Sequence, residues 1–143
     1  MGLLNTISYI NIKDADSVAK YLQGVGCKVY KIDGNKISNM EELFGWIKEK
    51  FPQDPPLSGN VNFDALVDSL WGGFDGQCEE KVAIIWTNPT ELMEQDKVRF
   101  DVLIECIDEL AKTLSLDSYG VDKHISLKTI LLGEGSLFSR FSI

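Results

Sequence analysis

Asp64, Asp68 and Trp71 fall at i, i+4 and i+7 within Asn62-Phe63-Asp64-Ala65-Leu66-Val67-Asp68-Ser69-Leu70-Trp71-Gly72. On a helix, that spacing turns two carboxylates and an indole to one side. Tryptophan often carries interface energy and paired carboxylates meet cationic groups, so the chemistry on offer is recognition of a positively charged protein surface. The same residues also have simpler uses. Aspartate in a first helical turn stabilises the helix dipole, and Trp71 can turn into the core. As a general acid and base, Asp64 and Asp68 lack partners that would shape a substrate. As metal ligands they fall short of the six or more oxygens calcium takes, with no histidine nearby. The pattern therefore points away from an enzyme, a metal site or a cofactor.

The other reactive side chains give no stronger signal. Cys27, Cys78 and Cys106 are widely spaced and odd in number, without the close pairs of a zinc or redox motif. They read as free thiols in a reducing compartment. The lone His124 precedes a strand pattern and reads as a surface or hydrogen-bonded residue. Gly133-Glu134-Gly135-Ser136 lacks the third glycine, the lysine and the following helix of a phosphate-binding loop, and reads as a turn. A formal net charge of -8 disfavours direct nucleic-acid binding and suits a basic partner, steered through a field that salt weakens.

Elements that position the acidic segment follow from periodicity. Strand patterns run at 7–12, 28–32, 81–86 and 125–132; the third is nearly continuously apolar, as a strand covered on both faces requires. Helical spacing covers 14–22, ending at Gly24 and Gly26. A second helix follows Ser38-Asn39-Met40-Glu41, a capping-box pattern, with Met40, Leu43, Phe44 and Ile47 inward and a stop at Pro52. Asn62 caps a short helix with Phe63, Leu66, Val67 and Leu70 as its stripe and Gly72-Gly73 as its end. After Asn88-Pro89 a long helical pattern runs to about Leu114, interrupted near Asp96, with Phe100, Leu103, Ile107, Leu110 and Leu114 inward. Strands alternating with helices imply right-handed crossovers and an α/β fold, a small three- or four-stranded parallel sheet flanked by helices.

One globular domain is expected from 143 residues that are 44% hydrophobic and 25% charged, enough to form a core without disulfides or metal. Residues 1–27 form a strand-helix extension, 28–132 the core and 133–143 a tail. The N-terminus lacks the pattern of a secretory signal, and no apolar run approaches the roughly 20 residues of a membrane span, so the expected location is cytoplasmic.

Tyr30-Lys31-Ile32-Asp33-Gly34, the helix ending Lys48-Glu49-Lys50-Phe51-Pro52, Asn62-Phe63-Asp64-Ala65-Leu66 with Asp68, and the strand to Trp86 together resemble the barstar family over roughly Lys28 to Leu132. The resemblance implies a parallel sheet packed with helices, and a one-to-one complex in which an intracellular inhibitor, or immunity protein, plugs the active site of a secreted guanyl-type ribonuclease or a related basic nuclease toxin. Carried over by position, Asn62, Asp64, Asp68 and Gly72 match the family's partner contacts. Trp71 stands where a smaller residue is usual, and Val67 where tryptophan or tyrosine is common. Either Asp108 or Glu109 matches an acidic contact on the long helix. The loop Pro55-Pro56-Leu57-Ser58-Gly59-Asn60-Val61 is longer than the family's and lacks its paired aromatics. That difference leaves room for a second reading, a protein-interaction module on the same fold that inhibits no ribonuclease.

Overall fold

The structure, a computed structural model, describes residues 5–77, 79–116 and 124–141. Four strands, β1 (Ile7–Asn11), β2 (Lys28–Asp33), β3 (Lys81–Thr87) and β4 (Ser126–Gly133), form one sheet in the order β1-β4-β3-β2, and every pairing is parallel. The expected α/β architecture is therefore present, with four strands rather than three. Among the described residues five α-helices connect or flank them: α1 (Ala15–Gly24), α2 (Met40–Lys50), α3 (Phe63–Asp75), α4 (Thr90–Gln95) and α5 (Lys97–Leu114).

The sheet is covered unequally on its two faces. One carries the large core, in which Ile84 and Trp86 of β3 and Leu127 and Leu131 of β4 meet Leu43, Phe44, Leu66, Leu70, Phe100 and Leu103 of α2, α3 and α5. The other carries a smaller cluster, Val18 and Leu22 of α1 against Ala83, Ile85, Ile130 and Leu132. This explains why β3 reads as an unbroken apolar run, since alternate residues enter different cores. Burying an aliphatic side chain such as Val18 or Leu22 is worth about 1.5–3 kcal/mol, so α1 is a structural cover for that face.

The segment after β4 wraps the edge of the sheet. Phe138 enters the large core and meets Tyr9 edge-on at 5.9 Å, while Phe141 packs on the smaller cluster and meets Tyr21 at 5.8 Å. Between them Ser139 pairs with the outer edge of β1, its amide donating to the Tyr9 carbonyl and its carbonyl accepting from Asn11. Arg140 then makes a two-pronged ion pair to Asp14 at 2.7 and 2.9 Å, and the Phe141 amide adds a third bond at 2.9 Å. These donors hold the Asp14 carboxyl down to about 2 from its ordinary 3.8, the Arg140 bond having the largest effect and the Phe141 amide the next. At the opposite edge the Trp46 indole donates to the Lys31 carbonyl at 2.8 Å and covers β2.

Two local expectations are corrected. The cap of α2 lies one residue later than the Ser38–Glu41 pattern suggests: the Asn39 side chain accepts from the Glu42 amide, and the Glu42 carboxylate reaches back to accept from the Ser38 amide. More consequential, α3 does not stop at Gly72-Gly73 but runs to Asp75, with the Gly76 amide bonded to the Gly72 carbonyl at 3.0 Å. The glycines are there for a close crossing. A Cβ on Gly72 would lie 2.0 Å from the Asp54 carbonyl oxygen, and one on Gly73 2.2 Å from that of Pro52. The Asp54 amide meets the Ser69 carbonyl at 2.9 Å in the same crossing, which pins the loop ahead of α3 against the helix.

Candidate functional site

Position and capping of α3 set the site. Asn62 is the N-cap, its side-chain oxygen accepting from the Ala65 amide at 3.0 Å, so the helix starts where the sequence signal places it. Leu66, Ser69, Leu70, Gly73 and Phe74 are buried, and Phe63 stacks edge-on against Phe44 of α2 at 5.7 Å. With that face fixed inward, Asp64 and Asp68 lie opposite it and are exposed. Neither has a hydrogen-bond or ion-pair partner among the described residues. Because α3 continues past the glycines, Asp75 joins the same side of the helix two turns beyond Asp68, half-buried and unpaired among the described residues. Sequence reasoning missed Asp75 because it ended the helix at Gly72; the i, i+4, i+11 spacing of the three aspartates was the available signal.

Trp71 and Val67 occupy an intermediate position. Both are half-buried and pack against the large core, so the indole is a shoulder beside the carboxylates and not a free projection. Gly72 lies under the Asp54 carbonyl, where its small size holds the loop against the helix.

The acidic character extends onto α5. α3 packs against α5, and the Cys106 thiol in the middle of α5 is pushed up by burial first, then by the negative charges of Asp64 and Glu105. Asp108 faces the other way: it accepts from the Thr6 hydroxyl at 2.5 Å, pairs with Lys112 at 3.2 Å, and is held below its usual value chiefly by the Thr6 bond. Glu109 is exposed and unpaired among the described residues. Glu109 is rotated about 100° from Asp108 and stays on the outward side of α5, while Asp108 is committed to Thr6 just ahead of β1.

The remaining candidates are dispersed. Cys27 lies on the opposite side of the sheet, packed against the smaller cluster, and its thiol is pushed up mainly by burial. Cys78 lies outside the described residues. His124 is exposed with its ring nitrogen 2.6 Å from the Ser115 carbonyl. Among the described residues there is no group of three or more His, Cys, Asp or Glu able to hold a metal ion, and no helix long and apolar enough to cross a membrane.

The fold is thus a parallel sheet packed with helices, and its capped α3 carries aspartates, unpaired among the described residues, on the side away from the core. The family model described as Barstar (barnase inhibitor) matches residues 27–128, well over half of the chain, so this protein belongs to the barstar family of ribonuclease inhibitors. Compared with the curated proteins, the chain has no significant match. The matched region begins just before β2 and ends within β4, so β1, α1 and the wrapping tail lie outside it.

Proposed function

We propose that this chain is an intracellular immunity protein that inhibits a guanyl-type ribonuclease, or a related basic nuclease toxin, by inserting the acidic side of α3 into its active site as a one-to-one complex. The observation that carries this reading is the pair Asp64 and Asp68, exposed and without a cationic partner among the described residues, on a helix whose opposite face is locked into the core. A ribonuclease active site gathers cationic groups to hold phosphate, and a carboxylate can occupy that place. Asp68 accepts charge-assisted hydrogen bonds there, two-pronged ones where the partner supplies arginine. Asp64 and Glu109 flank it, the Asn62 side-chain amide and the Gly72 backbone border the contact, and Val67 and Trp71 form its apolar shoulder. The net charge of -8 draws the two proteins together and gives an association rate that falls with salt.

An inhibitor of this kind needs no catalytic group, cofactor or metal. Its place is the cytoplasm, where it protects the cell from its own nuclease. The test is titration of purified guanyl-type ribonucleases with the chain. Activity falling linearly to zero at one equivalent supports the reading. Full activity of every nuclease at micromolar inhibitor refutes it and favours the second reading, a non-inhibitory interaction module, which the aromatic-free Pro55–Val61 loop supports.

A further inference from the structure

Val98 is 76% exposed and Val102 40% exposed, one turn apart on α5, while the inward line of that helix is completed by Phe100, Leu103, Ile107, Leu110, Ala111 and Leu114. Neither valine is needed by the fold, and valine is a poorer helix former than the alanine or lysine a purely solvent-facing position would carry. Val102 leads one turn on to half-buried Cys106, the residue on which the charge of Asp64 acts. Val98, Val102 and Cys106 thus follow one another at i, i+4 and i+8 on α5, the helix against which α3 packs.

The charge around them is one-sided. Each basic side chain of α5 is neutralised within the protein: Lys97 by Asp101 at 2.7 Å, Arg99 by Asp96 at 2.6 Å, and Lys112 by Asp108 at 3.2 Å. Glu105 and Glu109, on the same outward side as the valines, have no such partner among the described residues. An apolar ridge set among uncompensated carboxylates disfavours a second copy of this chain and suits a basic surface with an apolar patch beside its cationic groove.

We infer that the ridge Val98–Val102–Cys106 of α5 is a second arm of the interface, and that it seats an apolar patch on the basic nuclease next to the groove entered by Asp68. This rests on the inhibitor reading above and gives the complex an apolar contact that the Pro55–Val61 loop lacks aromatics to provide. The acidic face of α3 steers the partner's arrival, while the desolvated Asp68 contact and the α5 ridge together set how long the partner stays.

The test measures association and dissociation rates, by surface plasmon resonance over a range of salt, against a guanyl-type ribonuclease for wild type, Val98→Ser/Val102→Ser and Asp68→Ala. Serine and valine have similar helix propensities, so the double variant should keep the wild-type urea midpoint. Its dissociation should be about tenfold faster or more, with association rate and salt dependence unchanged. Asp68→Ala should weaken binding, and its association should depend less on salt. If Asp68→Ala weakens binding and the double serine variant behaves as wild type, the ridge has no role and the inhibitor reading stands. If wild type binds none of the ribonucleases, both fail. Light scattering supplies the remaining check: a wild-type dimer that the serine changes dissociate would assign the ridge to a second copy and overturn the inference.

Discussion

Replacing Gly73 by alanine should destabilise the protein even though it improves the helix. Alanine in place of an interior helical glycine is worth about 1 kcal/mol in propensity. At Gly73, however, the new Cβ would meet the Pro52 carbonyl oxygen at 2.2 Å, its carbon at 2.3 Å and the Gln53 amide nitrogen at 2.6 Å, all of them backbone. Backbone cannot swing aside as a side-chain end does, so the loop must move by about an ångström. That movement stretches the Asp54–Ser69 bond of 2.9 Å, and Gln53, whose amide group bonds the carbonyls of Ile47, Lys48 and Phe51, is pulled with it. Overpacking of this kind costs about 1–3 kcal/mol and a lost backbone bond about 1 kcal/mol more, so the net result is a loss of about 1–3 kcal/mol. Gly45, in the middle of α2, is the matched control: a Cβ there would have no other atom within 4 Å, and Gly45→Ala should gain about 1 kcal/mol. Urea unfolding followed by far-ultraviolet circular dichroism reads both. Stabilisation of Gly73→Ala to the same extent as Gly45→Ala would refute the close crossing, and with it the way the loop ahead of α3 is held.

Three further outcomes concern the wrapping tail and the added strand and helix. Asp14 has its folded value lowered to about 2 from 3.8, so its contribution is complete above about pH 4 and disappears as pH falls from there through 2. The gap in thermal midpoint between wild type and Asp14→Asn should close over that range; a constant gap contradicts the ion pair. Phe138→Ala removes a buried ring from the large core and should cost about 3–5 kcal/mol in urea unfolding, whereas a surface tail would lose less than about 0.5 kcal/mol. Deleting residues 1–26 uncovers Ala83, Ile85, Ile130 and Leu132, and should produce strong binding of an apolar fluorescent dye and loss of solubility; a monomeric, dye-silent fragment would contradict the role assigned to α1.

What the sequence carried best was what depends on local chemistry. Met40, Leu43, Phe44 and Ile47 repeat at helical spacing and are buried, Asn62 caps α3 as its side-chain type suggests, and α4 and α5 part at Asp96. Long-range choices were less legible. Nothing near Gly72-Gly73 announces that the Pro52–Asp54 backbone passes over them, so two residues that weaken a free helix read as its end. The tail held no periodicity to read, because Phe138 and Phe141 serve opposite faces of the sheet and Arg140 finds its partner 126 residues away. That Asp108 has an internal partner was likewise not legible, because the bond joins it to Thr6 across a separation of 102 residues. The candidate face was visible as a spacing of Asp64 and Asp68, but whether those carboxylates had internal partners was a question only the fold could address.

Insertion of Asp68 into a cationic groove of a ribonuclease is tested most directly by calorimetric titration of a guanyl-type ribonuclease with wild type and with Asp68→Ala at one salt concentration. Removing one member of a desolvated ion pair leaves the other charge buried and uncompensated, at a cost of about 3–5 kcal/mol. Wild type should therefore bind with one-to-one stoichiometry and Asp68→Ala at least about a hundredfold more weakly. Equal affinity of the two proteins would contradict that insertion.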